Sequence, residues 1–124
     1  LVPKSLAEPR RMGNDPAMAF DGDALRGHLE FLVLSSLNGS AAHGYEIAAR
    51  LKEQSDGRFD IREGSLYPAL HRMERSSLVK SKWAKGERGP RRRVYTLTAR
   101  GRRELEGQRV EWRDLVTAMD AVLQ

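Results

Sequence analysis

Cysteine is absent from this chain of 124 residues, which excludes disulfide bonds, a catalytic thiolate and cysteine-ligated zinc, and is typical of a protein of the reducing cytoplasm. No apolar run approaches the ~18 residues needed to cross a membrane. The three histidines lack the HxxxH and HExxH spacings of metal sites, and no glycine pair is followed by the GK[ST] ending of a phosphate-binding loop. We therefore expect no enzyme activity, no metal and no cofactor.

Positive charge is in excess and unevenly distributed. The formal net charge is +5 and the pI is about 10.0. Residues 80–103 contain ten Lys and Arg against one acidic residue, so this segment carries +9 and the rest of the chain −4. A solvated charged face is the ordinary interpretation of a basic run, but clustering at one edge favours contact with DNA, RNA or an anionic membrane.

The N-terminal residues 1–19 contain Pro3, Pro9 and Pro16 without apolar periodicity, which predicts a flexible tail. This tail can derive in part from an expression vector, with Met12 or Met18 as the native start. We expect one folded domain over residues 20–97 and a single helix over 98–124.

Three helices are predicted within residues 20–97. The first runs from Asp23 to the Asn38-Gly39 turn, and the second from His43-Gly44 to about residue 55. The third is expected to begin with Ser65 as its N-cap and to hold Pro68 at its third position, where no intrahelical N–H is needed. Its apolar stripe would leave a polar front made of Tyr67, His71, Arg72 and Arg75.

A β-hairpin follows the third helix. Residues 78–83 and 94–97 are rich in β-branched and aromatic side chains, and residues 84–93 between them, with two glycines and a proline, predict a long basic tip. The fold class is therefore mainly α with a small β-hairpin, a winged helix-turn-helix with a long C-terminal helix. Membrane binding is disfavoured, because the positive charge lies on a hairpin and not on an amphipathic helix.

This layout would place the third helix in the major groove of double-stranded DNA and the hairpin along the phosphates. Arginine can bind guanine bidentately, hydroxyl groups and His71 can bind base edges or phosphates, and clustered cations can follow the backbone. His71 has the alternative of an ordinary surface histidine. The candidate DNA contacts are Ser65, Tyr67, His71, Arg72, Arg75, Lys85, Arg88, Arg91, Arg92 and Arg93.

The C-terminal helix, capped by Thr98, carries a heptad-like seam with one polar position at Gln108. Such a seam predicts a homodimer, although barely three heptads need reinforcement by other contacts. Trp112 has the alternative of lining a pocket for a flat aromatic ligand. The predicted interface residues are Leu105, Trp112, Leu115, Met119 and Val122.

The strings HGYEI from His43, EGSLYPAL from Glu63, RRRVY from Arg91 and LT followed by Gly101 resemble the PadR family of bacterial transcriptional regulators in order and spacing. The resemblance covers the chain from about Leu25 onward, and implies a dimeric winged-helix repressor of the short subgroup that dimerises through one C-terminal helix. It implies that Tyr45, Ser65, Tyr67 and the hairpin cations face DNA, while Trp112 lies at the dimer interface. Tyr45 has the alternative of closing the core.

The chain departs from the family at Ser77, where glycine is common just after the third helix. A left-handed helix cap at that position would strain a residue other than glycine.

We expect a homodimeric repressor that binds a palindromic operator and is released by a small aromatic ligand. The alternative is a winged-helix adaptor whose basic hairpin binds a protein or RNA.

Overall fold

The computed structural model describes residues 19–22, 25–85 and 89–124. These residues form four helices and a three-stranded antiparallel sheet of order β1-β3-β2, which confirms the predicted fold class. The predicted tail lies outside the described residues except for Ala19. In chain order the elements are α1 (Leu29–Ser36), β1 (Ala42–His43), α2 (Gly44–Gln54), α3 (Glu63–Arg75), β2 (Val79–Lys85), β3 (Arg91–Leu97) and α4 (Ala99–Leu123).

Helix α1 is shorter than the sequence predicts. Residues 25–28 form turns, and Gly27 adopts a φ of 91°, a left-handed value that interrupts a right-handed helix. The helix begins only at Leu29 and buries Leu29, Val33 and Leu34. Asp23 itself lies outside the described residues, but the prediction of helix over residues 25–28 was wrong, because apolar spacing does not reveal the conformation of a glycine.

Helix α2 begins where the sequence predicts, and His43 is its N-cap. The Glu46 backbone N–H donates to His43 Nδ1 at 3.2 Å, and the His43 N–H donates to the Glu46 carboxylate at 3.1 Å. Later in the helix, Arg50 donates to the carbonyl oxygens of Ser36 at 2.8 Å and Ala41 at 3.0 Å. These bonds fix α2 against the end of α1 and against strand β1.

Helix α3 starts three residues earlier than predicted. Arg62 is the N-cap and makes no side-chain cap bond, so the prediction of Ser65 as N-cap was wrong. Pro68 is consequently the sixth helical residue and not the third. It removes the hydrogen bond that the Gly64 carbonyl would otherwise accept, and because Gly64 is exposed, water can take that place.

The end of α3 is a Schellman motif centred on Ser77. The Leu78 N–H donates to the Met73 carbonyl at 2.9 Å and the Ser77 N–H to the Glu74 carbonyl at 3.0 Å. Ser77 has a φ of 62°, so α3 does end in a left-handed cap, with serine at the position where glycine is common in the family. The backbone strain at Ser77 is about 1 kcal/mol.

Ser77→Gly is expected to raise the free energy of unfolding by about 0.5–1 kcal/mol, because glycine adopts a positive φ without a Cβ clash. Urea denaturation followed by circular dichroism measures this as a higher midpoint at constant slope. Ser76→Gly is the matched control, since Ser76 has an unstrained φ of −87° and gains nothing from glycine. Equal effects of the two variants would contradict a strained cap.

The hairpin strands are longer than predicted and its turn is shorter. Lys85, Arg91, Arg92 and Arg93 belong to paired strands, so their assignment to a loose tip was wrong. Cross-strand pairing is continuous from Val79 opposite Leu97 to Lys85 opposite Arg91. Strand β1, which no sequence pattern predicted, adds Ala42 opposite Tyr95 at the other edge of β3.

A single apolar core joins these elements. Helix α3 contributes Leu66, Leu70 and Met73, all fully buried, and the base of the sheet contributes Val79 and Leu97. Burial of such side chains contributes about 1.5–3 kcal/mol each. The exposed front of α3 is therefore held on a rigid base.

Helix α4 is locked to this base at its first turn. Thr98 is its N-cap, as predicted: the Gly101 N–H donates to Thr98 Oγ1 at 2.9 Å. The same hydroxyl donates to the Ser77 carbonyl at 2.6 Å, and the Thr98 N–H donates to the Leu78 carbonyl at 3.1 Å. One threonine thus ties the start of α4 to the segment that links α3 to β2.

Candidate nucleic-acid interface

The exposed front of α3 is the first component of the candidate site. At about 100° per residue, Gly64, His71 and Arg75 lie on the side opposite the buried Leu66 and Met73. Within the described residues, no hydrogen bond or ion pair occupies the side chains of His71 and Arg75. Both are therefore open to an external partner.

Two tyrosines flank this front where α2 meets α3. Tyr45 is 67% exposed and its ring stacks on His43 with centroids 6.4 Å apart, so it does not close the core. Tyr67 is 42% exposed and lies against Gly44, where an added Cβ would approach the tyrosine hydroxyl to 2.6 Å. Gly44 thus sets the position of Tyr67, a role that the sequence does not reveal, because the two residues lie in different helices.

Ser65 and Arg72 lie on the flank of α3 that faces α1. Ser65 packs against the backbone of Gly22, where no Cβ could be accommodated. Arg72 Nε donates to the Glu30 carboxylate at 3.1 Å, and both side chains are about half exposed. The structure therefore separates Ser65 and Arg72 from the Tyr67, His71 and Arg75 group.

The hairpin carries cations on both of its faces, because side chains alternate along a strand. Lys85, Arg91 and Arg93 share the face that continues outward from buried Val79, Tyr95 and Leu97. Arg92 lies on the opposite face together with Lys80 and Lys82. Arg88 lies outside the described residues.

The Arg93 side chain is held by contacts with other residues of the same chain. Its Nε donates to Ser81 Oγ at 2.9 Å, Ser81 Oγ donates to the Glu74 carboxylate at 2.7 Å, and Arg93 Nη2 lies 3.7 Å from the same carboxylate. Burial and then the Glu74 charge raise the pKa of the neighbouring Tyr95 above its usual range, which keeps that hydroxyl neutral.

Trp83 on β2 adds an exposed aromatic ring to the same face. The guanidinium carbons of Arg91 and Arg93 lie 5.4 Å and 5.2 Å from its ring centroid, distances typical of cation–π contacts. The sequence pattern places Trp83 in a strand but does not identify its partners, because cross-strand neighbours are known only once the register is known.

The second half of α4 presents a stripe of exposed apolar side chains. Leu115, Met119 and Val122 belong to this stripe, as the heptad pattern predicts. Leu105 does not: only 1% of its surface is exposed, since it packs into the core of its own chain. Trp112 is 45% exposed and contacts His28 edge-on at 5.6 Å and Phe31 at 6.5 Å between ring centroids.

Among the described residues no group of three or more His, Asp or Glu side chains is arranged to hold a metal ion. In the same part of the chain, no helix is long and apolar enough to span a bilayer.

Three helices, an exposed polar front on the third and a following basic hairpin define a winged helix-turn-helix DNA-binding protein. The chain matches the model of the Transcriptional regulator PadR-like family over residues 33–107 and belongs to that family. It is therefore a DNA-binding transcriptional regulator and not an enzyme.

Similar proteins come from several bacteria. A PadR family transcription regulator from Clostridium difficile is 36% identical with a TM-score of 0.70, covering 79% of this chain and 100% of that one. A transcriptional regulator from Clostridium thermocellum is 26% identical with a TM-score of 0.74, covering 82% and 99%. A protein of Lysinibacillus sphaericus is 26% identical over 102 residues, which is 82% of this chain and 94% of that one.

Proposed function

We propose that this protein is a homodimeric, sequence-specific repressor that binds a palindromic operator. The observation that carries the proposal is the unpaired front of α3, with His71 and Arg75 exposed beside two tyrosines and a basic hairpin. As a bacterial regulator of transcription it would act in the cytoplasm.

Base reading is assigned to the front of α3. Arg75 can bind guanine bidentately, and His71 can donate to or accept from a base edge. Tyr45 and Tyr67, at the N-terminal ends of α2 and α3, suit phosphate contacts through their hydroxyl groups. Ser65 and Arg72 lie on the α1 flank, so we assign them to the margin of the contact, where Arg72 would exchange Glu30 for a phosphate.

Backbone binding is assigned to the hairpin cations Lys85, Arg91 and Arg92, together with Arg88. Arg92→Ala is expected to reduce the slope of log K against log salt by about 0.9, because one phosphate contact is lost. Fluorescence anisotropy between about 50 and 200 mM salt measures this slope. Arg109→Ala is the control, since Arg109 lies on α4 in an ion pair with Glu106, and an unchanged slope for Arg92→Ala would remove it from the contact.

Dimerisation is assigned to the apolar stripe of α4. The helix has 25 residues and is about 37 Å long, comparable to the ~34 Å between successive major-groove faces of a duplex. Two copies joined along this stripe would present two α3 helices to two half-sites, and a two-fold protein favours a palindromic operator.

Repression is the proposed direction, because a dimer bound across a promoter would occupy the DNA that the transcription machinery needs. A reporter under the native promoter tests the direction: higher expression on deletion of the gene supports repression, and lower expression contradicts it.

Release by a small aromatic ligand is assigned to Trp112. This half-exposed ring lies beside His28 and Phe31, so a flat ligand could stack there at the edge of the apolar stripe. Quenching of Trp112 fluorescence together with loss of operator affinity is expected for such a ligand. Aromatic compounds that leave both readouts unchanged would argue against this part of the proposal.

Selection of binding sites from a random-sequence duplex pool tests the whole proposal. We expect enrichment of a palindrome, bound much more tightly than unselected duplex at moderate salt. His71→Ala and Arg75→Ala should lose preference at individual base pairs, each worth about 1–3 kcal/mol. Equal affinity for all duplexes would instead favour the adaptor alternative, in which an acidic protein or a structured RNA binds the hairpin.

A further inference from the structure

We propose that Glu74, Ser81 and Arg93 form a latch that sets the angle of the hairpin relative to α3, and that Arg93 is a positioning residue and not a phosphate contact. The latch rests on the proposed DNA-binding function. It joins α3, β2 and β3 through one chain of polar contacts, with distances of 2.7, 2.9 and 3.7 Å.

The outer half of the hairpin needs such a support. Its base is fixed by the buried residues Val79, Tyr95 and Leu97, whereas none of the described residues in 82–85 and 89–92 is buried. The latch lies at the boundary between these two parts, since Ser81 pairs with Tyr95 and Trp83 pairs with Arg93. It is therefore placed where it controls the direction in which Lys85, Arg91 and Arg92 extend.

The contacts of Arg93 leave it poorly suited to a phosphate. Its Nε donates to Ser81, its Nη2 is near the Glu74 carboxylate, and its guanidinium carbon lies over the Trp83 ring. Moving to a phosphate would abandon all three partners and leave Glu74 as an uncompensated negative charge beside a polyanion. Because the Arg93 and Glu74 side chains are 41% and 32% exposed, the ion pair itself contributes little to folding stability, and its effect is on geometry.

Substitution of Glu74 gives a test in which two explanations predict opposite changes in DNA affinity. Electrostatics alone predict that Glu74→Gln tightens DNA binding, because a negative charge near the phosphates is removed. A latch predicts that Glu74→Gln weakens binding several-fold, because the hairpin loses its fixed angle. The probe is the duplex enriched by the wild-type protein from the random pool, and the measurement is fluorescence anisotropy.

Ser81 allows the latch to be broken without any change in charge. Ser81→Ala is expected to reduce affinity about tenfold at an unchanged salt slope, a loss of about 1.4 kcal/mol of binding free energy, because the hairpin cations are no longer held in place. Ser81→Thr keeps the hydroxyl group and should restore most of the affinity. Ser76→Ala, which removes an exposed hydroxyl at the end of α3, is the matched control and should bind as the wild type does.

Arg93→Ala separates positioning from phosphate contact directly. As a latch residue it should lower affinity while leaving the salt slope unchanged. A fall in slope of about 0.9, together with tighter binding by Glu74→Gln, would overturn the proposal.

A readout without DNA separates failure of the latch from failure of the DNA-binding proposal. The chain has two tryptophans, so Trp112→Phe leaves Trp83 as the sole reporter. In this background Ser81→Ala should increase acrylamide quenching of Trp83, because Arg93 is no longer held over the ring. Unchanged quenching refutes the latch, whereas increased quenching in a protein whose wild type selects no duplex refutes only the DNA-binding proposal.

Discussion

Gly101→Ala is expected to lower the free energy of unfolding by about 3 kcal/mol, the upper range for a side chain forced into a packed site. A Cβ at this position would lie 2.1 Å from the Leu78 carbonyl oxygen, which belongs to the backbone and cannot rotate away. Thermal unfolding at fixed protein concentration should show a midpoint lowered by roughly 10–20 °C.

Gly107→Ala is the matched control, since Gly107 lies in the same helix with no atom within 4 Å of an added Cβ. It should stabilise the protein by about 0.5–1 kcal/mol, the ordinary gain of replacing glycine inside a helix. If Gly101→Ala also stabilised the protein, α4 would be free to slide away from Leu78, and the joint at Thr98 would not be rigid.

Leu115→Glu combined with Met119→Glu is expected to convert the proposed dimer to a monomer and to reduce operator affinity by about 10²- to 10⁴-fold. The two side chains are 48% and 52% exposed in a single chain, so the substitutions cost little in folding. They place two carboxylates in the apolar stripe, where a second copy would have to desolvate them. Sedimentation equilibrium measures the oligomeric state.

Val110→Glu is the control, because it removes an exposed apolar side chain of α4 that lies outside the stripe. Val110 is 50% exposed but lies about 180° around α4 from Met119, because nine residues make about two and a half turns. It should leave both mass and operator affinity unchanged. If the Leu115→Glu, Met119→Glu protein remained a dimer, the dimer interface would have to lie outside the stripe.

Periodicity predicted the parts of the fold that depend on which residues are apolar. It gave α2, the Thr98 cap and the extent of α4, because amphipathic spacing and capping chemistry are local properties. It failed at the start of α1, because the positive φ of Gly27 interrupts the helix there. It failed also at the start of α3, because the N-cap Arg62 makes no side-chain hydrogen bond that a sequence pattern could indicate. Strand β1 has only two residues and therefore no pattern to detect.

The candidate site divides in the same way. The helical spacing of Tyr67, His71 and Arg75 was enough to place them on one exposed front, because a regular helix converts sequence intervals into angles. The pairing of Glu74 with Arg93 could not be predicted, since the two residues lie in different elements and meet only through the register of β2 on β3. Leu105 was placed in the dimer seam because a heptad pattern does not distinguish a partner helix from the protein's own core.

Because its connection at Thr98 is rigid, α4 moves together with the winged helix-turn-helix domain. A single residue separates the last residue of β3 from the first of α4, and three hydrogen bonds prevent that residue from acting as a hinge. A tilt of about 5° at the joint would displace the far end of a ~37 Å helix by about 3 Å. In the proposed dimer, motion would also pass in the opposite direction. A small change of packing along the apolar stripe would rotate each winged helix-turn-helix domain as a rigid body. In that proposed dimer, the distance between the two α3 helices would depend on the hydrogen bonds of Thr98 and on the close packing at Gly101.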